Sequence, residues 1–234
     1  LEPFRDQLPG ALFEQEFQVP TTDGSRNIRS NLRIATKLLN DAGWKIQGGA
    51  LTHQDSGVRM QFEFLLRDPS GERIVLAFVR NLERLGITAT ARVVDAAQYQ
   101  KRMADFDFDI TSLVLSQSLS PGNEQREFWN SKQASVVGSR NYAGIENSVV
   151  DALIEQLIAA PTRQSLIDYT RALDRVLLWN HYVIPQYHIR NFRLAYWDKF
   201  ERPAVSPKYE VGLDTWWVNP QKSEQIEATR GTGN

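Results

Sequence analysis

The feature that most constrains the fold is a change of hydrophobic period that repeats along residues 60–115. Met60–Leu66 has apolar side chains at every second position, which predicts a strand, and Asp68–Gly71 is expected to turn the chain. Residues 72–85 then carry apolar side chains at steps of three and four, which predicts an amphipathic helix. Its predicted stripe consists of Ile74, Val75, Phe78, Leu82 and Leu85. Gly86 is expected to end this helix in the left-handed conformation.

The same strand and helix unit recurs and then continues into a third strand. Ile87–Val94 alternates again, Asp95 is placed to cap a helix over Ala96–Ala104, and Phe106–Leu115 returns as a strand. Crossovers of this kind are right-handed and make the strands parallel, so the sequence predicts a βαβαβ core. Ligands of such sheets bind beside the carboxyl ends of the strands. The polar loop Ser116–Asn123 is therefore the first candidate for a binding element.

The segment before this core is less regular. Residues 1–26 mix prolines with aromatic and leucine side chains, which predicts an extended connecting segment. A helix is expected from Asn27 onward because apolar residues recur at helical spacing, and Gly43 is placed to end it. Residues 47–57 are expected to form a polar turn that leads into the first strand of the core.

Further helices are predicted after the loop. Residues 124–130 are expected to form one or two helical turns. Ser148–Asp151 is close to a capping box at the start of a helix that stops at Pro161, and Thr162 is expected to cap the next helix. Tyr182–Ile189 is predicted as a strand at an edge or irregular position, because it contains a proline.

Composition excludes several classes of partner and site. The 234 residues carry 27 basic and 28 acidic side chains, so the basic stripe of a nucleic-acid-binding protein is absent and no nucleic acid is expected as a partner. No apolar run approaches the roughly 20 residues that span a bilayer, so direct membrane insertion is not expected. The chain contains no cysteine, which excludes disulfides and thiolate metal ligands.

The sequence gives little support to a catalytic or cofactor site. Three serines lie in Ser116–Ser120, but no Gly-x-Ser-x-Gly motif surrounds them, and His53, His181 and His188 have no spacing that predicts a triad. Helical histidine pairs, calcium loops and Gly-rich phosphate loops are absent, so no metal and no cofactor are expected. We predict that the chain is not an enzyme, and a serine hydrolase is the least favoured alternative.

Two charged features lie near the loop. The alternation in Phe106–Asp109 puts Asp107 and Asp109 on one face of a strand, where solvated or salt-bridged acids are expected. Arg126 follows the loop and is a candidate for contact with an anion or carboxylate at a cleft, although an arginine in such a position is more often a surface residue.

Several segments together resemble family 5 of the extracellular solute-binding proteins, the peptide-binding subunits of ABC importers. They are Ala35–Trp44, Ile74–Gly86, Phe106–Ile110, Asn141–Ser148 with Val150–Ile154, and Leu173–Arg175 ahead of Val183–Pro185. The resemblance lies in their order and spacing over residues 27–187. Ser120–Gln125 and Trp216–Pro220 are most similar to the branch that is linked to import of oligopeptides and peptide-like antibiotics.

The resemblance implies an α/β fold, namely the carboxyl-terminal lobe of a type II periplasmic binding protein with a βαβαβ parallel-sheet core and flanking helices. Residues 27–188 would form this ligand-binding lobe. Residues 189–220 would be an aromatic segment that returns toward a missing first lobe, and residues 221–234 a disordered tail. The resemblance also implies a periplasmic location, a signal peptide outside this sequence, a peptide or peptide-like ligand, and the membrane subunits of an ABC importer as partners.

The resemblance also indicates where the ligand is held. In well-known peptide binders of the family, an aspartate after the third strand holds the amino terminus of the ligand, and Ser118 stands at the corresponding position here. Backbone and hydroxyl contacts are therefore expected instead of amine capture. The candidate ligand-binding residues are Leu115, Ser116, Gln117, Ser118, Asn123, Arg126, Asn141 and Tyr142.

A second class of function is compatible with the same pattern. Some transcription regulators carry similar binding folds as ligand-sensing domains. The sequence upstream of Leu1 discriminates between the two classes, because a signal peptide indicates transport whereas a helix-turn-helix indicates regulation.

Overall fold

A computed structural model describes residues 1–25, 27–187, 191–207 and 210–231. The chain divides into two compact units, Leu1–Ile184 and Pro185–Asn234. The first unit contains α1 (Ala11–Glu14), α2 (Arg29–Asp41), β1 (Trp44–Gln47), β2 (Ala50–His53), β3 (Gln61–Leu66), α3 (Pro69–Glu83), β4 (Thr88–Val93), α4 (Ala96–Ala104), β5 (Ile110–Thr111), α5 (Glu124–Trp129), α6 (Ser148–Ile158) and α7 (Arg163–Trp179). The second unit contains β6 (Phe200–Glu201), β7 (Trp217–Val218) and α8 (Pro220–Gly231). Short 3-10 helices cover Glu2–Gln7, Ser131–Gln133 and Leu213–Thr215.

The first unit contains a three-stranded sheet in the order β4-β3-β5, and both pairings are parallel. On one face, Phe64 and Leu66 of β3 share a buried cluster with Val75 and Val79 of α3. On the other face, Leu65 belongs to a cluster that includes Met103 of α4. The two helices therefore cover opposite faces of the sheet, and the predicted α/β fold with a βαβαβ parallel core is confirmed.

The third strand is much shorter than the prediction of Phe106–Leu115. Only Ile110–Thr111 pairs with β3, because side chains occupy the backbone groups of β3 at both ends of this pairing. Asp109 Oδ2 accepts a hydrogen bond from the Glu63 N–H at 2.8 Å, and Thr111 Oγ1 donates to the Leu65 carbonyl at 3.0 Å. Residues 112–123 consequently leave the sheet and form a long loop.

The acids of this segment precede β5, so the prediction that they lie on one face of a strand is wrong. Asp107 lies 3.0 Å from the Arg102 guanidinium, which also contacts the Glu63 carboxylate at 3.0 Å. Arg102 is largely buried, so the network ties α4 to β3. The prediction of salt-bridged or solvated acids is confirmed for Asp107, which is in an ion pair, whereas the exposed Asp109 bonds to the Glu63 backbone.

Helix α3 begins three residues earlier than expected. The predicted turn at Asp68–Gly71 is wrong, because Asp68 is the N-cap, its side chain accepts from the Ser70 N–H, and Pro69 occupies the first helical position. The predicted stripe is also displaced. Val75 and Val79 are buried, whereas Ile74 and Phe78 remain exposed.

The end of α3 follows its sequence signal. Gly86 has a φ of +79°, and the Ile87 N–H donates to the Leu82 carbonyl at 3.2 Å. This is the six-to-one hydrogen bond of a Schellman ending. Leu85 and Ile87 are buried in the cluster that joins α3 to β2.

Helices α6 and α7 pack together and form the largest apolar core of the first unit. This core consists of Leu8, Leu12, Ile145, Val149, Val150, Leu153, Ile154, Leu157, Leu173 and Val176. Arg175 of α7 donates hydrogen bonds to the carbonyls of Leu12 and Gln15. The first part of the predicted connecting segment 1–26 is therefore packed against the helices instead of being extended.

Residues 44–53 form an antiparallel β-hairpin between β1 and β2. The prediction of a polar turn over residues 47–57 is wrong for the part that lies in β2. Gly48 and Gly49 have φ angles of +57° and +84°, which suit the two central positions of a tight hairpin turn.

Helix starts in the second half of the first unit mostly follow their predicted caps. Thr162 and Ser165 form a capping box at the start of α7. The near capping box at Ser148–Asp151 is wrong by one residue, because the side chain of Asn147 accepts the first free N–H groups of α6. The predicted strand Tyr182–Ile189 is wrong over residues 182–187, which form no strand, and residues 188–189 lie outside the described part of the chain.

The second unit is small and aromatic. Trp216 contacts Tyr196 at a ring separation of 4.8 Å and Phe200 at 6.4 Å. The predicted disordered tail is wrong over residues 221–231, which belong to α8, and residues 232–234 lie outside the described part. Asn219 accepts from the Lys222 N–H at 3.1 Å, which is a helix cap ahead of Pro220.

Candidate functional site

The loop after β5 borders the larger of the two cavities of the first unit described here. Its volume is about 420 Å³, within the range of small-ligand sites. The loop forms one wall, α5 contributes a second, and successive turns of α7 form the third. The lining residues are Gln117, Ser118, Leu119, Pro121, Gln125, Trp129, Arg163, Leu166, Ile167, Thr170, Arg171, Leu173, Asp174 and Leu177. Half of this wall is apolar, so the cavity suits a ligand that has both apolar and polar parts.

The wall from α5 is held by side-chain amides. Gln125 is only 4% exposed, and its Nε2 donates to Gln117 Oε1 at 2.7 Å. Trp129 Nε1 donates to Gln125 Oε1 at 3.1 Å. Burial favours the neutral form of Glu124, but hydrogen bonds from the Gly122 N–H and from Gln125 outweigh it and hold the Glu124 pKa below its usual value. These contacts fix the loop on the start of α5.

Arg163, the first residue of α7, connects the α7 wall of the cavity to the loop. The Arg163 guanidinium donates to the Leu119 carbonyl and, at 3.4 Å, to Ser120 Oγ. The capping box at Thr162 sets the direction in which α7 begins, and Arg163 is therefore presented to the loop. Loop and helix are joined at this point across more than 40 residues of sequence.

Two exposed charged residues of α7 lie further along the same wall. The Arg171 side chain makes no hydrogen bond or ion pair within the part of the chain that is described. Asp174 keeps some contact with solvent, but desolvation beside the apolar wall raises its pKa above the ordinary 3.8. The cavity thus holds two arginines and one carboxyl group that favours its protonated form more than usual.

The structure brings only part of the predicted loop set to the cavity. Gln117 and Ser118 line it, and Ser118 Oγ accepts from the Ser120 N–H at 3.1 Å. Ser116 is exposed and Leu115 is half-buried, and neither is part of the lining.

Asn123 and Arg126 form a structural contact instead of facing the cavity. The Arg126 guanidinium holds the Glu155 carboxylate with distances of 2.8 Å and 2.5 Å, and it also donates to Asn123 Oδ1 at 2.8 Å. This hydrogen-bonded pairing lowers the pKa of Glu155. The interpretation of Arg126 as a group that meets a ligand anion is replaced by an ion pair that ties α5 to α6.

Asn141 is placed inside the protein and is not accessible to a ligand. It is 0% exposed, its Nδ2 donates to the carbonyls of Asn130 and Ile145 at 3.1 Å and 3.0 Å, and its Oδ1 accepts from the Ile145 N–H at 2.9 Å. Both polar atoms of its side chain are therefore hydrogen-bonded to backbone groups of nearby residues. The prediction that it contacts the ligand conflicts with this burial.

Tyr142 lies at a separate, smaller cavity of about 290 Å³ beside α4. It packs against the cluster of Leu65, Val94 and Met103. The eight predicted residues therefore do not form a single site in this structure.

Sequence reasoning missed the residues that complete the larger cavity. Arg163, Arg171 and Asp174 lie on one side of α7, and Gln125 lies on α5. The one available signal was the spacing of Arg163, Ile167, Arg171 and Asp174 at three- and four-residue steps along a predicted helix. That spacing shows that the four residues share one face of the helix, but it does not predict which other element that face contacts.

The alternatives to small-molecule binding receive no direct support from the geometry. Among the described residues that line the cavity, none is a histidine, so Ser118 has no imidazole base there. Within the described ranges, no cluster of three or more metal-ligating side chains is found. None of the helices described is long and apolar enough to cross a bilayer.

The chain is similar in sequence to bacterial solute-binding proteins. A family profile described as "Bacterial extracellular solute-binding proteins, family 5 Middle" matches residues 6–136. A probable peptide-binding protein YejA of Agrobacterium fabrum is 43% identical over 218 residues, covering 93% of this chain and 36% of that protein. The uncharacterized protein YejA of Escherichia coli is 38% identical over 234 residues, covering 100% of this chain and 38% of that protein. The chain thus spans about a third of the length of the curated relatives it matches.

A solved structure shows the same fold. The oligopeptide-binding protein AppA of Bacillus subtilis, in complex with a nonapeptide, superposes with a TM-score of 0.61 at 17% identity. The match covers 88% of this chain and 40% of that one.

Proposed function

The chain belongs to family 5 of the bacterial extracellular solute-binding proteins, and on that premise we propose that it forms part of the ligand-binding subunit of an ABC importer. The proposed location is the periplasm, and the proposed partners are the membrane subunits of the importer. The family and the fold are those of solute-binding proteins, so we propose binding without chemical conversion of the ligand.

The observation that supports this proposal best is the position of the cavity. It lies against the loop that leaves the carboxyl end of β5, where ligands of parallel sheets gather, and it combines an apolar wall with polar groups. Ser118 Oγ accepts from the Ser120 N–H, which leaves the hydroxyl proton to donate to a ligand. The exposed backbone of residues 116–118 offers further N–H and carbonyl groups.

The proposed ligand is a peptide or peptide-like molecule. A relative at 43% identity is named a probable peptide-binding protein, and a protein with the same fold is solved with a nonapeptide. An extended peptide suits a loop that exposes its backbone, because main-chain groups of ligand and loop can pair without regard to side chains.

The prediction bounded the lobe at residues 27–188, but Leu8 and Leu12 belong to the same core, so we further propose that the first unit, Leu1–Ile184, acts as one of two lobes and that a second lobe lies elsewhere in the full-length protein. A two-lobe binder encloses its ligand from both sides and draws much of its affinity from closure. The isolated chain should therefore bind peptide much more weakly than the full-length protein.

The proposal is tested by calorimetry of the full-length protein with a mixed pentapeptide library. Ser118→Ala should weaken binding by about one hydrogen bond, roughly 0.5–1.5 kcal/mol, and leave the melting temperature unchanged. Ser30→Ala, on the exposed side of α2, is the matched control and should change neither quantity. Failure of the library to bind, or unchanged affinity in Ser118→Ala, would contradict this assignment of the site.

A further inference from the structure

A directional chain of hydrogen bonds runs through the wall of the larger cavity. Trp129 Nε1 donates to Gln125 Oε1 at 3.1 Å, and Gln125 Nε2 donates to Gln117 Oε1 at 2.7 Å. An indole nitrogen is a donor only, so it determines that the Gln125 oxygen faces Trp129 and that the Gln125 NH2 group faces Gln117. Gln125 is almost fully buried and cannot turn its amide over without losing both bonds.

The direction of this chain decides what Gln117 offers to a ligand. Its oxygen is occupied by Gln125, so its NH2 group is the polar group that remains available at the cavity. Successive hydrogen bonds in one direction polarise each other, which strengthens the donor at the end of the chain. Gln117 therefore keeps both N–H donors of its amide for a ligand, whereas its oxygen already accepts from Gln125.

The other polar side chains of the cavity add further donors. Arg163 and Arg171 carry guanidinium groups, which donate hydrogen bonds and accept none. The Arg163 guanidinium already donates to the Leu119 carbonyl, whereas the Arg171 side chain has no hydrogen bond or ion pair with any residue in the described ranges. Thr170 Oγ1 already donates to the Leu166 carbonyl at 2.7 Å.

Asp174 is the one acidic side chain among the lining residues. It lies three residues after Arg171 on α7, yet no ion pair joins the two side chains. The side chains of the wall carry two positive charges and at most one negative charge. A ligand cation would be repelled by the two arginines, whereas a ligand anion could accept hydrogen bonds from several donors.

We propose that this cavity binds a carboxylate of the ligand, from an acidic side chain or a free carboxyl terminus, beside an apolar side chain. Gln117 and Arg171 donate to the carboxylate, Gln125 is the positioning residue for Gln117, and Leu166, Ile167 and Leu177 contact the apolar part. This proposal rests on the proposed function and narrows its substrate class to peptides that present a carboxylate, on a side chain or at the carboxyl terminus.

Calorimetry of the full-length protein with four pentapeptide pools tests the proposal. Three pools are amidated, built from Leu and Ala, and carry Glu, Gln or Lys at one randomised position. The fourth is the Gln pool with a free carboxyl terminus. The Glu pool or the free-terminus pool should bind at least tenfold tighter than the amidated Gln pool, and the Lys pool should bind most weakly. Whichever of the two is tighter identifies the source of the carboxylate.

Substitutions of the lining residues test whether they cause the preference for a carboxylate. Gln117→Glu keeps an oxygen for Gln125 but replaces the donor by a second oxygen, so the preference for the anionic pool should disappear. Arg171→Gln should lower that preference at least fivefold, whereas Arg33→Gln, the same charge change on α2, should leave it intact. Gln125→Met should lower the ratio of anionic to neutral affinity, a ratio that a general loss of stability would not change.

The outcomes separate the two proposals. If the pools bind without regard to charge, or if Gln117→Glu retains the preference, the carboxylate assignment is wrong and peptide binding stands. If no pool binds, the proposed function is wrong and the carboxylate assignment is refuted with it.

Discussion

Replacing Asn141 by alanine should destabilise the first unit strongly, although this residue was predicted from the sequence to contact the ligand. The substitution removes two hydrogen bonds donated by Nδ2 and one accepted by Oδ1. At roughly 0.5–1.5 kcal/mol for each of the three bonds, the loss is about 3 kcal/mol. Ile145 is 0% exposed, so water cannot replace the lost partners of its N–H and carbonyl groups.

The measurement is urea and thermal unfolding of the full-length protein, followed by circular dichroism. Because a domain of this size shifts by about 2–4 °C for each kcal/mol, the melting temperature should fall by about 6–12 °C. Asn123→Ala removes an exposed asparagine that accepts only from Arg126, and it should stay within about 0.5 kcal/mol of the parent.

Two results would refute this reasoning. A loss below about 1 kcal/mol would mean that the loop relaxes and regains its hydrogen bonds. A loss of peptide affinity with unchanged unfolding would mean that Asn141 contacts the ligand, as the family resemblance implied.

Two further predictions concern backbone strain and pH. Gly86→Ala should lower the free energy of unfolding by more than the roughly 1–2 kcal/mol of a left-handed residue, because its Cβ would lie 3.0 Å from the Leu51 nitrogen. Gly57→Ala is the control, since it has open space around its Cβ and reports the conformational cost alone. Equal losses of stability for the two variants in chemical unfolding would contradict the contact. Burial raises the Asp174 pKa, so the folded state binds more protons and its stability falls as the pH rises above 3.8. Asp174→Asn cannot ionise, and its melting temperature relative to the parent should rise with pH from about 3.5 to 7; a constant difference would show that the carboxyl group is not desolvated.

Several elements followed from the sequence because the signals that form them are local. The alternation of Met60–Leu66 and the cap at Asp95 each act within a few residues, and the structure has a strand and a helix where they predict them. The Gly48-Gly49 turn and the Asn219-Pro220 cap were equally local. The turn lies within the predicted turn 47–57, but the polar composition of that stretch gave no signal for β2, and the polar composition of residues 221–234 gave none for α8.

The extent of the third strand depended on contacts that no local pattern reveals. Its alternation continued to Leu115, but the Asp109 and Thr111 side chains bond to the backbone of β3, which lies 46 residues earlier in the chain. Pairing ended at Thr111, and the following apolar residues became part of a loop.

The sequence by itself determined the order of strands and helices in the parallel core, from β3 to β5, and the presence of a polar loop after its last strand. Only the tertiary structure decided which polar residues are open to a ligand. Arg126 lies 29 residues from Glu155 and is paired with it, Asn141 is buried, and Arg171 comes to the cavity from a distant helix. Burial and partners of a polar group depend on elements far away in the chain, whereas the period of apolar residues depends only on the local backbone.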